Sequence, residues 1–359
     1  EGGAILLEEG KPSGILIDKA ITLVSEKLPK MSAEAMAFAL KKAEEMCFKK
    51  GLTSVADAYL ENNMVHVIDS MQQNGVLKMN IYGMLVPSKE NRKEFLNNGP
   101  FVTEKLNIQA FKFFADGALG SRGAKLIKPY HDDALNSGIS TLDTANFLAD
   151  LKLMYEKGFQ VNTHCIGDEA NRQVLDAYGE VLKGTNDKRW RIEHAQILTP
   201  SDFEKFRKFT IIPSVQPTHA TSDMPWAEDR LGKERMINSY AYKKLLSMNG
   251  TIALGTDFPI EDIDPLKTFY AATVRKDATG NPENGFQTDN ALSREEAIRG
   301  MTIWAAMANF EDTLRGSLEK GKVADFIILD KDLMEIEESK ILQTKVTTTY
   351  VDGSVVFSR

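Results

Sequence analysis

The sequence has little cysteine, no long apolar run and no block of basic residues, and each absence excludes a class of protein. Its two cysteines, Cys47 and Cys165, are far apart and neither belongs to a CxxC pair, which argues against a disulfide framework or a cysteine zinc site. No apolar run approaches the roughly 20 residues of a membrane-spanning helix. A net charge of −7 without a basic block gives nucleic acid or an anionic membrane little to bind. We therefore expect neither among the partners.

The amino end lacks an initiator methionine and any signal-peptide pattern. The sequence therefore predicts a cytoplasmic protein whose chain begins as if it were cut from a longer one. Its 359 residues are 42% hydrophobic and 26% charged, enough for one large or two medium globular domains. The expected partners are a small-molecule substrate and, at most, a second copy of the chain in a homodimer.

Strand-like and helix-like segments alternate along most of the chain. Seven strands are predicted, beginning near residues 52, 77, 108, 159, 188, 210 and 251, with helices between them. Such alternation favours a parallel β/α architecture, and a closed barrel of this kind needs eight strands. We therefore predict an α/β fold: a (β/α)8 TIM-type barrel over residues 1–314 whose first strand would precede Glu1.

Other segments are less regular. Residues 116–140 and 216–233 show no periodicity and are predicted as loops, while helices are expected at 17–25, 235–248 and 294–309. Residues 315–359 contain three β-rich runs, with an Asp352-Gly353 hairpin signal before the last. Three strands make a poor independent domain. We therefore predict that 315–359 belong to a small β-sandwich whose other strands would also precede Glu1.

Three polar side chains close three of the predicted strands: His164, His194 and Asp257. A single strand-end histidine is more often packed than functional, but the carboxyl ends of barrel strands meet at one mouth, where such enzymes hold their reacting residues. Two neutral imidazoles and a carboxylate suit a divalent transition metal that keeps a position for water. Asp257 could then take the proton of that water and hand it to a leaving nitrogen.

Four further residues are candidates for the site. Lys112 interrupts an apolar strand, where lysine is disfavoured unless it is paired or functional. It is either an outward lysine that snorkels between helices or an inward one, which would ligate metal after modification or act as a Schiff-base amine. His219, just past a strand end, and Asp116 and Arg122, beside glycines that permit close approach to a ligand, are predicted substrate contacts. Turn capping by Asp116 is the alternative.

At these residues the sequence resembles the amidohydrolase superfamily, specifically its amidohydrolase-3 (YtcJ-like) branch. The segments that carry the resemblance are residues 14–18, 51–55, 112–122, 163–168, 191–196, 214–217, 255–259 and 316–325. The resemblance implies that His164, His194 and Asp257 are metal ligands and that Asp257 is also the general acid/base. Lys112 matches the position of a lysine that is carboxylated and bridges two metals in many members.

The resemblance also implies a reaction. The leading hypothesis is metal-dependent hydrolysis of a C–N bond in a small amide, N-acyl, N-formyl or cyclic amide substrate, with one or two ions of zinc, or else manganese or iron. The family's His-x-His pair of the first barrel strand is absent from this sequence, so we expect the chain alone to be inactive or poorly active. Deamination, a metal-free Schiff-base barrel using Lys112 and a non-catalytic binding barrel are the alternatives.

Overall fold

A computed structural model of the chain describes residues 3–29 and 31–359. Its strands are β1 (Gly3–Glu8), β2 (Lys11–Asp18), β3 (Ser54–Leu60), β4 (Asn80–Leu85), β5 (Phe101–Val102), β6 (Leu106–Phe114), β7 (Gln160–Cys165), β8 (Arg191–His194), β9 (Ile212–Val215), β10 (Ala253–Leu254), β11 (Phe326–Leu329), β12 (Val346–Val351) and β13 (Ser354–Ser358). Its helices are α1 (Thr22–Ser25), α2 (Ala33–Lys49), α3 (Asn62–Gln73), α4 (Lys89–Asn98), α5 (Thr144–Lys157), α6 (Asp168–Leu182), α7 (Phe203–Lys208), α8 (Pro217–Asp223), α9 (Ala227–Met236), α10 (Tyr242–Asn249), α11 (Pro265–Val274), α12 (Arg294–Met301) and α13 (Ile303–Ala308).

The main sheet is parallel and has the strand order β3-β4-β6-β7-β8-β9-β10, with β5 antiparallel against β6. Its seven parallel strands are the seven predicted from the sequence. Within the described ranges β3 and β10 do not pair, so the sheet curls into an open half-barrel with helices between successive strands. The predicted α/β barrel-type fold is thus confirmed. All carboxyl ends of the parallel strands lie at one mouth, as such sheets require.

A second sheet lies at the carboxyl end of the chain. Strands β11, β12 and β13 form an antiparallel meander, and the turn before β13 has left-handed φ angles of 50° at Asp352 and 70° at Gly353, as the hairpin signal predicts. The Thr349 hydroxyl donates to the Phe48 carbonyl at the end of α2 over 2.7 Å, which ties this sheet to the barrel. Strands β1 and β2 form a separate hairpin. The domain boundary at residues 314 and 315 stays a prediction.

Several local predictions were wrong. Of the helix expected at 17–25, only Thr22–Ser25 is α-helical, because residues 17 and 18 extend β2. The segment 216–233 is not a loop, since Pro217 starts α8 and α9 follows. The helix expected at 235–248 is confined to Tyr242–Asn249, and the one at 294–309 breaks at Thr302. The segment 116–140 contains no helix or ladder strand, as predicted.

Hydrogen bonds among polar side chains fill the barrel below the mouth. The Gln160 Oε1 atom accepts from Tyr82, Asn162 and Arg191 over 2.8 to 3.2 Å, and Arg191 also donates to Asn309. These groups are buried, and each bond compensates for the loss of water. The network closes the floor of the half-barrel, so the polar residues nearer the strand ends face the open mouth. Among the described residues, no helix is both long and apolar enough to cross a membrane.

Candidate metal centre

Three side chains converge at the carboxyl ends of the neighbouring strands β8, β9 and β10. They are His194, the last residue of β8, His219, in the first turn of α8 after β9, and Asp257, just past β10. In each of these residues, one potential ligand atom lies within 4.8 Å of those of the other two. Among the described residues, this is the group of three such side chains that has this spacing. A pair of imidazoles and a carboxylate at this spacing have the donor chemistry that a divalent transition metal requires.

The backbone turns sharply where two of these residues leave the sheet. His194 has a φ of 74° and Asp257 a φ of 57°, both in the left-handed region that non-glycine residues adopt at a cost of about 1–3 kcal/mol. Such conformations persist where the surrounding fold imposes them, and they cluster at functional sites. Two of the three strand ends that the sequence selects therefore carry such a conformation.

His164, the remaining predicted histidine ligand, adjoins this group without belonging to it. Its ring centroid lies 4.6 Å from that of His194 and 5.4 Å from that of Phe114. Its buried Nε2 has no hydrogen-bond partner and lies 3.5 Å from the Asp116 carboxylate. The structure therefore places His164, His194 and Asp257 at one mouth. His219 lies at the same mouth, in helix α8 after β9.

The histidines at the mouth differ in protonation state, and burial keeps two of them neutral. Loss of solvent, and then the positive charge of Lys112, lower the pKa of His164 to about 3. Burial, followed by the neighbouring His164 and Lys112, also lowers the pKa of His194 well below its ordinary range. Both imidazoles are consequently neutral at pH 7, and a neutral imidazole offers a lone pair to a metal.

His219 is the opposite case. Burial opposes its protonation, but hydrogen bonds to Asp257 and Glu261, both over 3.2 Å, outweigh burial and raise the pKa of His219 to about 9. Burial likewise opposes ionisation of Asp257, yet the hydrogen bond with His219 lowers its pKa overall. The Ser222 hydroxyl donates to Glu261 at 2.6 Å and completes this chain. The arrangement is an imidazolium held between two carboxylates.

Lys112 points toward the mouth rather than outward between helices. It is 4% exposed, and its Nζ lies 5.1 Å from the centre of the Phe114 ring. Burial lowers the pKa of Lys112, while the charges of Glu193 and Asp257 oppose that shift. Lys112 therefore points into the barrel, and the alternative of an outward lysine that snorkels between helices is wrong.

The two predicted substrate contacts in the loop 116–140 make structural contacts. Asp116 is buried and accepts from the backbone N–H groups of Lys125, Ile166 and Gly167 over 2.7 to 3.0 Å, which joins the loop to the end of β7. Arg122 forms a two-pronged ion pair with Asp132 in the same loop. The capping alternative for Asp116 is thus the one observed, and direct contact of either residue with a substrate stays a prediction.

Sequence reasoning missed the partners of the histidines. Gln216 is buried and its Oε1 lies 2.7 Å from His194 Nδ1, while Glu261 binds His219. Gln216 directly follows β9, so a polar residue at a strand end was an available signal. Glu261 follows Asp257 by four residues in a turn, where an acidic residue is too common to stand out.

Comparison with known proteins assigns the family. The model of the amidohydrolase family matches residues 1–357. Protein LONG AFTER FAR-RED 3 of Arabidopsis thaliana is 32% identical, over 99% of this chain and 63% of the plant protein. The putative amidohydrolase YtcJ of Bacillus subtilis is 31% identical, over 100% of this chain and 68% of its own length. The chain therefore belongs to the amidohydrolase family, and it spans about two thirds of the length of these relatives.

Two further similarities bear on chemistry and fold. The N-substituted formamide deformylase of Arthrobacter pascens is 28% identical, over 70% of this chain and 46% of that enzyme. An uncharacterised metal-dependent hydrolase of Pyrococcus furiosus superposes with a TM-score of 0.76 at 27% identity, covering 92% of this chain and 67% of that one. The family and the YtcJ-like branch inferred from the sequence are confirmed.

Proposed function

We propose that this chain forms the catalytic barrel of a metal-dependent hydrolase that cleaves a C–N bond in a small amide, N-acyl, N-formyl or cyclic amide substrate. The observation that carries the proposal is that a ligand atom of His194 lies within 4.8 Å of one of Asp257 at the barrel mouth, where His219 contacts Asp257. Neutral His164 lies beside this group. Two neutral imidazoles beside an ionised carboxylate are a donor set that suits a divalent transition metal.

In this proposal His164, His194 and Asp257 hold the metal, which is zinc, or else manganese or iron. His219 lies as close, but both of its ring nitrogens are already engaged, Nε2 by Asp257 and Nδ1 by Glu261. Its role is to contact the substrate and to hold Asp257. A divalent metal at such a site supplies Lewis-acid chemistry, because it polarises a substrate carbonyl and makes water more acidic.

Asp257 provides the proton transfer. The hydrogen bond with His219 keeps the carboxylate ionised at pH 7, so Asp257 can accept a proton from the attacking water. It then returns this proton to the leaving nitrogen, which must depart as an amine. The His219–Glu261 contact holds the imidazole in line with Asp257 while the charge on Asp257 changes.

The choice of a C–N bond rests on relatives. The deformylase of Arthrobacter pascens is named for N-substituted formamides, and the family is named for amide hydrolysis. Deamination uses the same arrangement and differs in its leaving group. A panel of amides and amines separates the two reactions, since amide hydrolysis releases a carboxylate, whereas deamination releases ammonia and leaves a carbonyl.

Metal content is the primary test, because it reports on the site without requiring turnover. We expect the dialysed chain to retain a divalent metal, measured by inductively coupled plasma mass spectrometry. His164→Ala, His194→Ala and Asp257→Ala should lose it. His219→Ala should retain it, which separates the proposed ligands from the nearby proton carrier. Retention of metal by the first three variants would rule out this site.

A rival hypothesis is a metal-free barrel that uses Lys112 as a Schiff-base amine. Burial lowers the pKa of Lys112 and so favours the reactive free amine. A Schiff-base barrel would form an adduct at Lys112 that borohydride traps in the presence of a carbonyl substrate. A carboxylated Lys112 would instead give a carbamate signal in ¹³C spectra with labelled bicarbonate, absent from Lys112→Met. We favour the carbamate, since it would add a ligand at the metal site.

A further inference from the structure

His194 makes a short hydrogen bond to a neutral amide. Gln216 Oε1 lies 2.7 Å from His194 Nδ1, and both side chains are buried. The Gln216 Nε2 atom points away and donates to the Ser214 carbonyl at 3.4 Å. The Gln216 carbonyl accepts from the Tyr242 hydroxyl of α10 at 3.2 Å. The glutamine is therefore held through its amide and through its backbone.

These contacts fix the direction of the hydrogen bond. If the amide were reversed, its oxygen would face the Ser214 carbonyl oxygen, and two acceptors would meet without a proton between them. The observed orientation presents an acceptor to His194. A carbonyl oxygen can only accept, so His194 Nδ1 carries the proton and the lone pair of the neutral ring lies on Nε2.

We propose that Gln216 is a positioning residue that locks His194 in the tautomer protonated at Nδ1, so that Nε2 is the atom offered to a metal. The purpose of this lock rests on the proposed function, whereas the tautomer itself is a property of the chain. A ligating histidine is oriented by the acceptor on its other nitrogen. An amide provides that acceptor without adding a negative charge beside His194.

The ¹⁵N shifts of the ring nitrogens report the tautomer directly. The 359-residue chain has five histidines, and the variant His194→Asn identifies the His194 signals in a ¹⁵N-histidine sample. We expect the metal-free wild type near pH 7 to show a protonated Nδ1 and an unprotonated Nε2. Gln216→Glu keeps the acceptor and should keep this tautomer, whereas Gln216→Leu should shift the population toward protonation at Nε2.

Zinc affinity, measured by competition with a chromophoric chelator, is the second readout. Gln216→Leu should bind zinc about 10- to 100-fold more weakly than wild type, and Gln216→Glu should recover most of the loss. Gln196→Leu is the matched control, because Gln196 is also buried but donates to Asp223 and Tyr240. It should leave the His194 tautomer unchanged.

The outcomes separate the two proposals. A wild-type His194 protonated at Nε2, or an unchanged tautomer in Gln216→Leu, overturns the role of Gln216. If the leucine variant does not fold, an unprotonated Nδ1 on His194 in Gln216→Glu overturns it equally. Failure of the wild type to bind zinc, manganese or iron would instead refute the proposed function, and the nitrogen shifts would still decide the role of Gln216.

Discussion

The Nε2 atom of His219 lies 3.2 Å from the Asp257 carboxylate, and the two side chains form an ion pair. Two neutral histidines, His164 and His194, lie at the same mouth. Because the pair is mostly buried, each member stabilises the charge of the other. The structure therefore places two neutral imidazoles, those of His164 and His194, beside the ion pair of His219 and Asp257.

Replacing His219 should impair catalysis while leaving the metal in place. In His219→Gln the carboxylate of Asp257 loses the charged hydrogen bond that does most to lower its pKa, so this pKa should rise and the acidic limb of the kcat/KM profile should move to higher pH. We expect kcat to fall about 10- to 100-fold, as for other outer contacts of metal sites. An acidic limb at an unchanged pH would contradict the pairing. Ser222→Ala is the control, because Ser222 contacts Glu261 rather than Asp257.

His164 should make the metal-free chain sensitive to acid. Its pKa is about 3 in the folded protein against an ordinary 6.5, so the unfolded chain binds the extra proton first as the pH falls. Its contribution to stability is therefore complete above pH 6.5 and is lost progressively as the pH falls toward 3, by at most about 1.4 kcal/mol per pH unit.

Urea unfolding of dialysed protein between pH 7 and pH 4 measures this effect. His164→Gln should show a shallower loss of the free energy of unfolding with falling pH than wild type. His66→Gln is the control, since the His66 side chain is 62% exposed on α3. Identical slopes in wild type and His164→Gln would contradict the buried neutral state.

The strands were predictable because buried parallel strands read as short apolar runs that end in a polar residue. Helix α9 could not be predicted from the sequence, because Gly232 interrupts it with a φ of 72° and its apolar positions are few. The start of α1 was misplaced for another reason. A short apolar run such as residues 15–17 fits a strand and a helix equally well, and only its pairing with β1 decides.

The three predicted metal ligands came from one rule, that strand ends meet at the mouth. This rule selects His164, His194 and Asp257, but it gives no information about which neighbours hydrogen-bond to them. The contacts of Gln216 with His194 and of Glu261 with His219 depend on rotamers and on the approach of α8 to β10. No spacing in the sequence encodes those.

Asp116 should stabilise the loop 116–140 through its three backbone contacts. In Asp116→Asn, one carboxylate oxygen becomes an NH₂ group that faces backbone N–H donors. The loss of charged hydrogen bonds should lower the free energy of unfolding by about 2 kcal/mol or more. Urea unfolding measures the loss, and limited proteolysis should show faster cleavage within 116–140. Asp133→Asn, in the same loop, is the control, and an equal effect of both changes would contradict the role of Asp116.

Gly167 should tolerate no side chain, because a Cβ there would overlap the Lys125 carbonyl. That carbonyl accepts from the N–H groups of Glu169 and Ala170 at the start of α6, over 3.2 and 3.4 Å. Gly167→Ala would push it away and leave these helix donors unpaired. We expect a loss of about 1–3 kcal/mol in the free energy of unfolding, as for other overpacked sites.

Gly184→Ala is the matched control for this change. Gly184 follows the carboxyl end of the same helix, and a Cβ there would meet nothing within 4 Å. Its substitution should alter the free energy of unfolding by less than about 0.5 kcal/mol. Equal urea midpoints for the two variants would show that the Lys125 carbonyl can move freely.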